Sequence, residues 1–139
     1  IQEALLSHLY DALNFFWDTA DELGLADRIL LVIGSDFGRT NFINEGNGKD
    51  HWPIGSYMIM EQGAEWSNRV VGVTDELHFA SKIDPQTLNP SDDGLIMTPT
   101  HIHKALREYL GVETFAAESG FGMTTTASLP LFHPFVSSS

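Results

Sequence analysis

Asp36, Arg39, Asp50 and His51 fall in one short stretch, GSDFGRTNFINEGNGKDHWP, residues 34–53. A carboxylate and a neutral imidazole suit Zn²⁺ or a similar divalent ion, with bonds of about 2.0–2.2 Å. A guanidinium is a planar fork matched to phosphate or sulfate oxygens. Asp36 and His51 are therefore candidate metal ligands, and Arg39, Asn47 and Asp50 candidate contacts to an anion beside the metal. Two ligands are too few for tight binding, where three or four are usual, so the stretch describes part of a site. Plainer readings compete. Asp36 and Thr40 suit the capping of a turn after a strand. Arg39 and Asp50 suit an ion pair on a solvated loop. His51, next to Trp52, suits a packed structural histidine.

These side chains depend on the elements around them. RILLVIGSD, residues 28–36, holds an uninterrupted apolar run, the pattern of a central strand covered on both faces. In open α/β sheets ligands gather at the carboxyl ends of such strands, which is where Asp36 stands. Gly34 and Gly38 flank it, as expected where the chain bends tightly or something approaches closely. Glycines 46 and 48 give the following loop the freedom to return. The expectation is that His51 meets Asp36 at the strand end, with Arg39 on the same side.

Ahead of the strand, Ile1, Leu5, Leu9, Leu13, Phe16, Ala20 and Leu23 recur every three to four residues, predicting an amphipathic helix over 1–23 that Gly24 closes. No capping residue precedes that helix, so the expectation is a trimmed or truncated chain. SYMIMEQG and RVVGVTD read as two further short strands, and 75–94 as mostly loop. A second helix is predicted over 99–110, with Thr98 as N-cap, Pro99 at the first helical position, Ile102, Leu106 and Leu110 on one face, and Gly111 at its end. Residues 112–139 read as an irregular tail that folds back through Leu131 and Phe132. His101 and His103, at i and i+2, point to different faces and predict no shared metal. Met58 and Met60 alternate on a strand and read as core. The whole is expected to be one α/β domain over 1–139.

Composition excludes some functions. Nineteen acids against seven Lys and Arg leave a formal net charge of −12, a surface that repels phosphate backbones, so nucleic acid is not an expected partner. There is no cysteine, hence no disulfide framework and no thiolate metal site. No apolar run is long enough to span a bilayer.

LLVIGSDFGRT with GNGKDHW downstream, then VVGVTDE and TPTHIHKALREYLG, resembles the C-terminal part of an uncharacterised bacterial family with only a domain-of-unknown-function label, placed in the alkaline phosphatase and sulfatase superfamily. The resemblance runs from residue 29 to about 111 and reappears at LPLF. It implies a partial alkaline-phosphatase-like sheet with flanking helices, forming the C-terminal portion of a larger domain. It also implies divalent metal at the carboxyl ends of the sheet, zinc or else calcium or magnesium, and a small phosphate or sulfate ester as substrate. The nucleophile and the first metal ligands would lie upstream of residue 1, and the protein would be exported. Asp36 matches the family's late-strand aspartate and His51 its later histidine ligand. Phe37 departs from the pattern, standing where a second ligand belongs. Three functions follow: a portion of a metal-dependent hydrolase, a non-catalytic relative, or an assembly module that docks the upstream part of the protein or another copy of the chain.

Overall fold

A computed structural model describes residues 2–134. The fold is mixed α/β, with three α-helices and two small antiparallel sheets among the described residues. The position of Ile1 and the end of the tail, residues 135–139, lie outside the described residues.

Helix α1 spans Gln2–Glu22. Its sequence contains no proline or glycine and only one β-branched residue, Thr19, so little opposes the apolar periodicity. It ends in a Schellman motif: Gly24 at φ +65° lets its own N–H reach the Asp21 carbonyl and the Leu25 N–H reach Ala20. A 3₁₀ turn at Ala26–Arg28 leads into strand β1, Leu30–Ile33. Strand β4, Met58–Glu61, pairs with it antiparallel, from Leu30 opposite Glu61 to Ile33 opposite Met58. Between them strands β2, Gly38–Arg39, and β3, His51–Trp52, form the second sheet.

The expected central strand is instead half of a two-stranded ribbon. Val32 is exposed and the other β1 residues are half-buried, because β1 has a strand neighbour on one side only among the described residues. The strand expected in RVVGVTD is absent. Val70 is 93% exposed, and the segment makes only an isolated bridge, Thr74 to Ala80. Beyond that bridge and the Ser81 N–H donated to the Val73 carbonyl, its β-branched residues pair with no strand, and β-propensity without a continuous neighbour forms none.

Helix α2, Pro99–Tyr109, covers one face of the β1–β4 ribbon. Thr98 caps it, and His101 closes the first turn: its Nδ1 accepts the Thr98 backbone N–H at 3.1 Å. Ile102, Ala105 and Leu106 pack with Trp66 and Phe132 against Leu30, Tyr57 and Ile59. Burying each large side chain there contributes about 1.5–3 kcal/mol. Leu110, expected on this face, lies beyond the last turn and is exposed. A second, smaller core surrounds Ile83, the one fully buried large side chain among the described residues, with Leu88 and Leu129. It sits inside the stretch that reads as loop, where two Asx turns shape the chain. Asp75 accepts the N–H groups of Leu77 and Phe79, and Asp84 those of Gln86 and Thr87.

Past α2 the chain forms a short helix α3, Glu113–Glu118, not irregular chain throughout. The remainder is tied back by cations. Lys104 donates to the carbonyls of Met123 and Thr126, Arg107 to Phe121, and Arg69 to Pro130 and Leu131. Helix α1 stands outside both cores. Of its described side chains only Leu13 and Ala20 are buried, while Leu5, Leu6, Tyr10 and Phe15 are exposed. No helix among the described residues is long and apolar enough to cross a membrane.

Candidate functional site

The site is built on the β2–β3 hairpin. Residues 40–50 return as expected, and what ties them is local. Thr40 donates its N–H to the Asp50 carbonyl at 3.1 Å, and its buried hydroxyl accepts the Asp50 N–H at 3.2 Å. Asn44 closes the tip: its side-chain oxygen accepts the Gly48 N–H at 2.9 Å, and its amide donates to the Asp50 carboxylate at 2.7 Å. Asn47 lies in this tip at φ +58°, a conformation that asparagine tolerates better than most residues. The polar residues of the loop thus hold the loop itself.

Arg39 and His51 are direct cross-strand partners, so their side chains share one face of the hairpin. Phe37, two residues before Arg39, reaches the same face. Its ring stacks on the His51 imidazole with centroids 3.8 Å apart and planes at 26°, and the Arg39 guanidinium carbon lies 5.1 Å from the Phe37 centroid. Arg39 also donates to the Lys49 carbonyl at 3.1 Å. The Arg39–Asp50 ion pair is not formed among the described residues, since Asp50 is taken by Asn44 and Arg39 by a carbonyl. Gly38 pairs with Trp52 on the other face, where a Cβ would collide with the Ile54 carbonyl. At Gly34 a Cβ would stand 2.6 Å from the Tyr57 ring. What approaches the two flanking glycines closely is therefore the protein's own chain. Trp52 is pinned in turn, its indole donating to the His78 carbonyl at 2.8 Å and its ring lying 4.9 Å from Phe79.

Asp36 is exposed and makes no side-chain hydrogen bond among the described residues, so it caps no turn. With Ser35 it borders a cavity of about 690 Å³ floored by Ile59, Trp66, Ile83, Ile102 and Phe132. The structure thus joins His51 to Arg39 and Phe37, while Asp36 borders the cavity, which neither Arg39 nor His51 lines. Among the described residues no three His, Asp or Glu side chains form a group able to hold a metal.

Beneath the cavity the Trp66 indole N–H is buried and has no well-formed hydrogen bond among the described residues. Its ring meets Tyr109 edge-on, and the Tyr109 hydroxyl donates to the Glu61 carboxylate. That bond to an acceptor carboxylate raises the Tyr109 pKa above its ordinary value. Burial lowers that of Arg69, which caps two carbonyls.

The stack of Phe37 on His51 escapes sequence reading because it joins residues from two strands. The only available signal is the placement of an aromatic two residues before the cross-strand partner of a histidine, and that needs the register. A mixed α/β protein with a polar hairpin at the carboxyl end of its first strand is the class that fold and site define. The chain belongs to the family described as "Protein of unknown function (DUF1501)", which matches residues 2–96. That span takes in α1, both sheets and the cavity rim, and stops short of α2, whereas the motifs place the resemblance between 29 and 111. No curated protein and no solved structure matches the chain.

Proposed function

We propose that this chain carries part of the active site of a metal-dependent hydrolase of the alkaline phosphatase and sulfatase kind, acting on phosphate or sulfate esters. The observation that carries the reading is the pairing of Arg39 with His51 on one face of the hairpin, just beyond the end of β1. An imidazole able to ligate and a guanidinium able to neutralise an oxyanion then stand side by side. A divalent ion bound there, zinc or else calcium or magnesium, would act as a Lewis acid on an ester oxygen. His51 would supply one donor, and Asp36 a second from the cavity rim. Arg39 would hold the anion, and the hairpin tip with Asn47 and Asp50 would border it. Further donors and the nucleophile must come from elsewhere in the protein.

The test is metal analysis of the full-length protein with and without His51→Ala. The expected outcome is bound divalent metal whose content falls at least about tenfold in the variant. Unchanged metal content in the variant would refute the role of His51. One observation favours a second reading, a non-catalytic relative: an aromatic ring occupies the second ligand's place and packs on His51. A full-length protein that binds no metal and turns over no aryl phosphate or sulfate would decide for it.

A further inference from the structure

We infer that Phe37 is a positioning residue for His51, holding the plane of the imidazole, and with it the plane in which a ring nitrogen can ligate, at the hairpin face. The inference rests on the reading of His51 as a ligand and gives Phe37 a role there. Histidine ligands are ordinarily oriented by a hydrogen bond from the second ring nitrogen to a carboxylate, carbonyl or water. Among the described residues no carboxylate or carbonyl bonds to either ring nitrogen of His51, and His51 is exposed. Its close side-chain tie is the stack on Phe37, at 3.8 Å between centroids and 26° between planes.

The geometry follows from the register. His51 is opposite Arg39, so Phe37 is its diagonal neighbour across the ladder, a separation an aromatic ring can bridge. Gly38 lets the returning chain pass close on the far side, which leaves the near side to the three stacked groups. Arg39 lies against the Phe37 ring and adds a cation to the same stack. Stacking engages only the face of the imidazole. The lone pair of the unprotonated nitrogen lies in the ring plane and stays free for a ligand.

Phe37 is at the surface and belongs to neither core cluster, so replacing it leaves the fold in place. The experiment uses histidine-labelled full-length protein, with His51→Ala to assign the resonance. In the wild type the His51 ring protons should be displaced upfield by the aromatic ring current. Phe37→Leu should abolish the displacement and weaken zinc binding by about tenfold, and Phe37→Tyr should restore both. Undisplaced His51 protons in the wild type, or a Phe37→Leu protein with unchanged shift and zinc affinity, overturn the inference. The two ideas fail separately. A shift that depends on Phe37 in a protein whose zinc content ignores His51 keeps the stack and removes the ligand role.

Discussion

Gly38 shows how much one residue carries. Any side chain at this position meets the Ile54 carbonyl, a backbone atom that cannot swing aside. Gly38→Ala is expected to destabilise the protein by about 1–3 kcal/mol, the usual cost of forcing extra atoms into a packed contact. It should also loosen the pairing that aligns Arg39 with His51. Urea unfolding measures the first effect, and a variant with the wild-type midpoint would contradict it. Lys104 is a second such residue. Its ammonium is buried and donates to the Met123 and Thr126 carbonyls, at 3.2 and 2.8 Å, with the Glu108 carboxylate 3.7 Å away. Lys104→Met keeps the stem and removes the donor, so the expected loss is about 1–3 kcal/mol for the acceptors left unsatisfied. Earlier proteolysis within 121–132 should accompany it.

At the scale of elements, turns and helix ends set the pH response. The Asp84 carboxylate accepts the Thr87 and Gln86 N–H groups, which lower its pKa. Its contribution is present above the ordinary carboxylate value near 3.8 and is lost as pH falls through the lower folded value. Tyr109 has the opposite sign. Its pKa is raised, so its contribution is whole below about pH 10 and is lost as pH rises through the higher folded value. Stability profiles of Asp84→Ala and Tyr109→Phe against the wild type should therefore converge at opposite ends, the first in acid and the second in alkali. A Tyr109→Phe difference that persists well above that alkaline range would contradict the assignment to the Glu61 bond.

At the scale of the molecule, charge is lopsided and the cations are used sparingly. Of seven Lys and Arg residues, five donate to backbone carbonyls: Arg39, Arg69, Lys82, Lys104 and Arg107. Few acids are neutralised, so a net charge of −12 opposes compaction. Moderate salt should raise the unfolding midpoint by screening this repulsion, and a midpoint independent of ionic strength between about 0.01 and 0.15 M would count against it. Function at this scale is expected to need more than the chain. On the proposed partial-site reading the isolated chain should not hydrolyse an aryl phosphate or aryl sulfate. Robust metal-dependent turnover by the purified chain would refute the partial-site reading.

Local chemistry was legible in the sequence. Gly24 and Gly111 end their helices where a left-handed residue is needed, and Thr98 and Pro99 start α2, because caps depend on neighbours a few positions away. The return of the 40–50 loop also follows from its asparagines, Asn44 closing the tip and Asn47 taking the left-handed position, whereas Gly46 and Gly48 are not left-handed. Sequence alone could not decide how many neighbours a strand finds. RVVGVTD has strand residues and no strand, and LLVI has the pattern of a buried strand but pairs on one side, since pairing depends on backbone supplied by distant chain. The Ile83 core inside a loop-like stretch was illegible for the same reason, being closed by Leu129 from more distant sequence. The candidate site divides along this line. Asp36, Arg39 and His51 stand out by residue type, but only the cross-strand register decides that His51 lies opposite Arg39 and stacks on Phe37, while Asp36 borders the cavity. Residue type limits which reactions a side chain can serve, and the tertiary fold selects its neighbours, because contacts between distant residues form only when burial and hydrogen bonding bring their elements together.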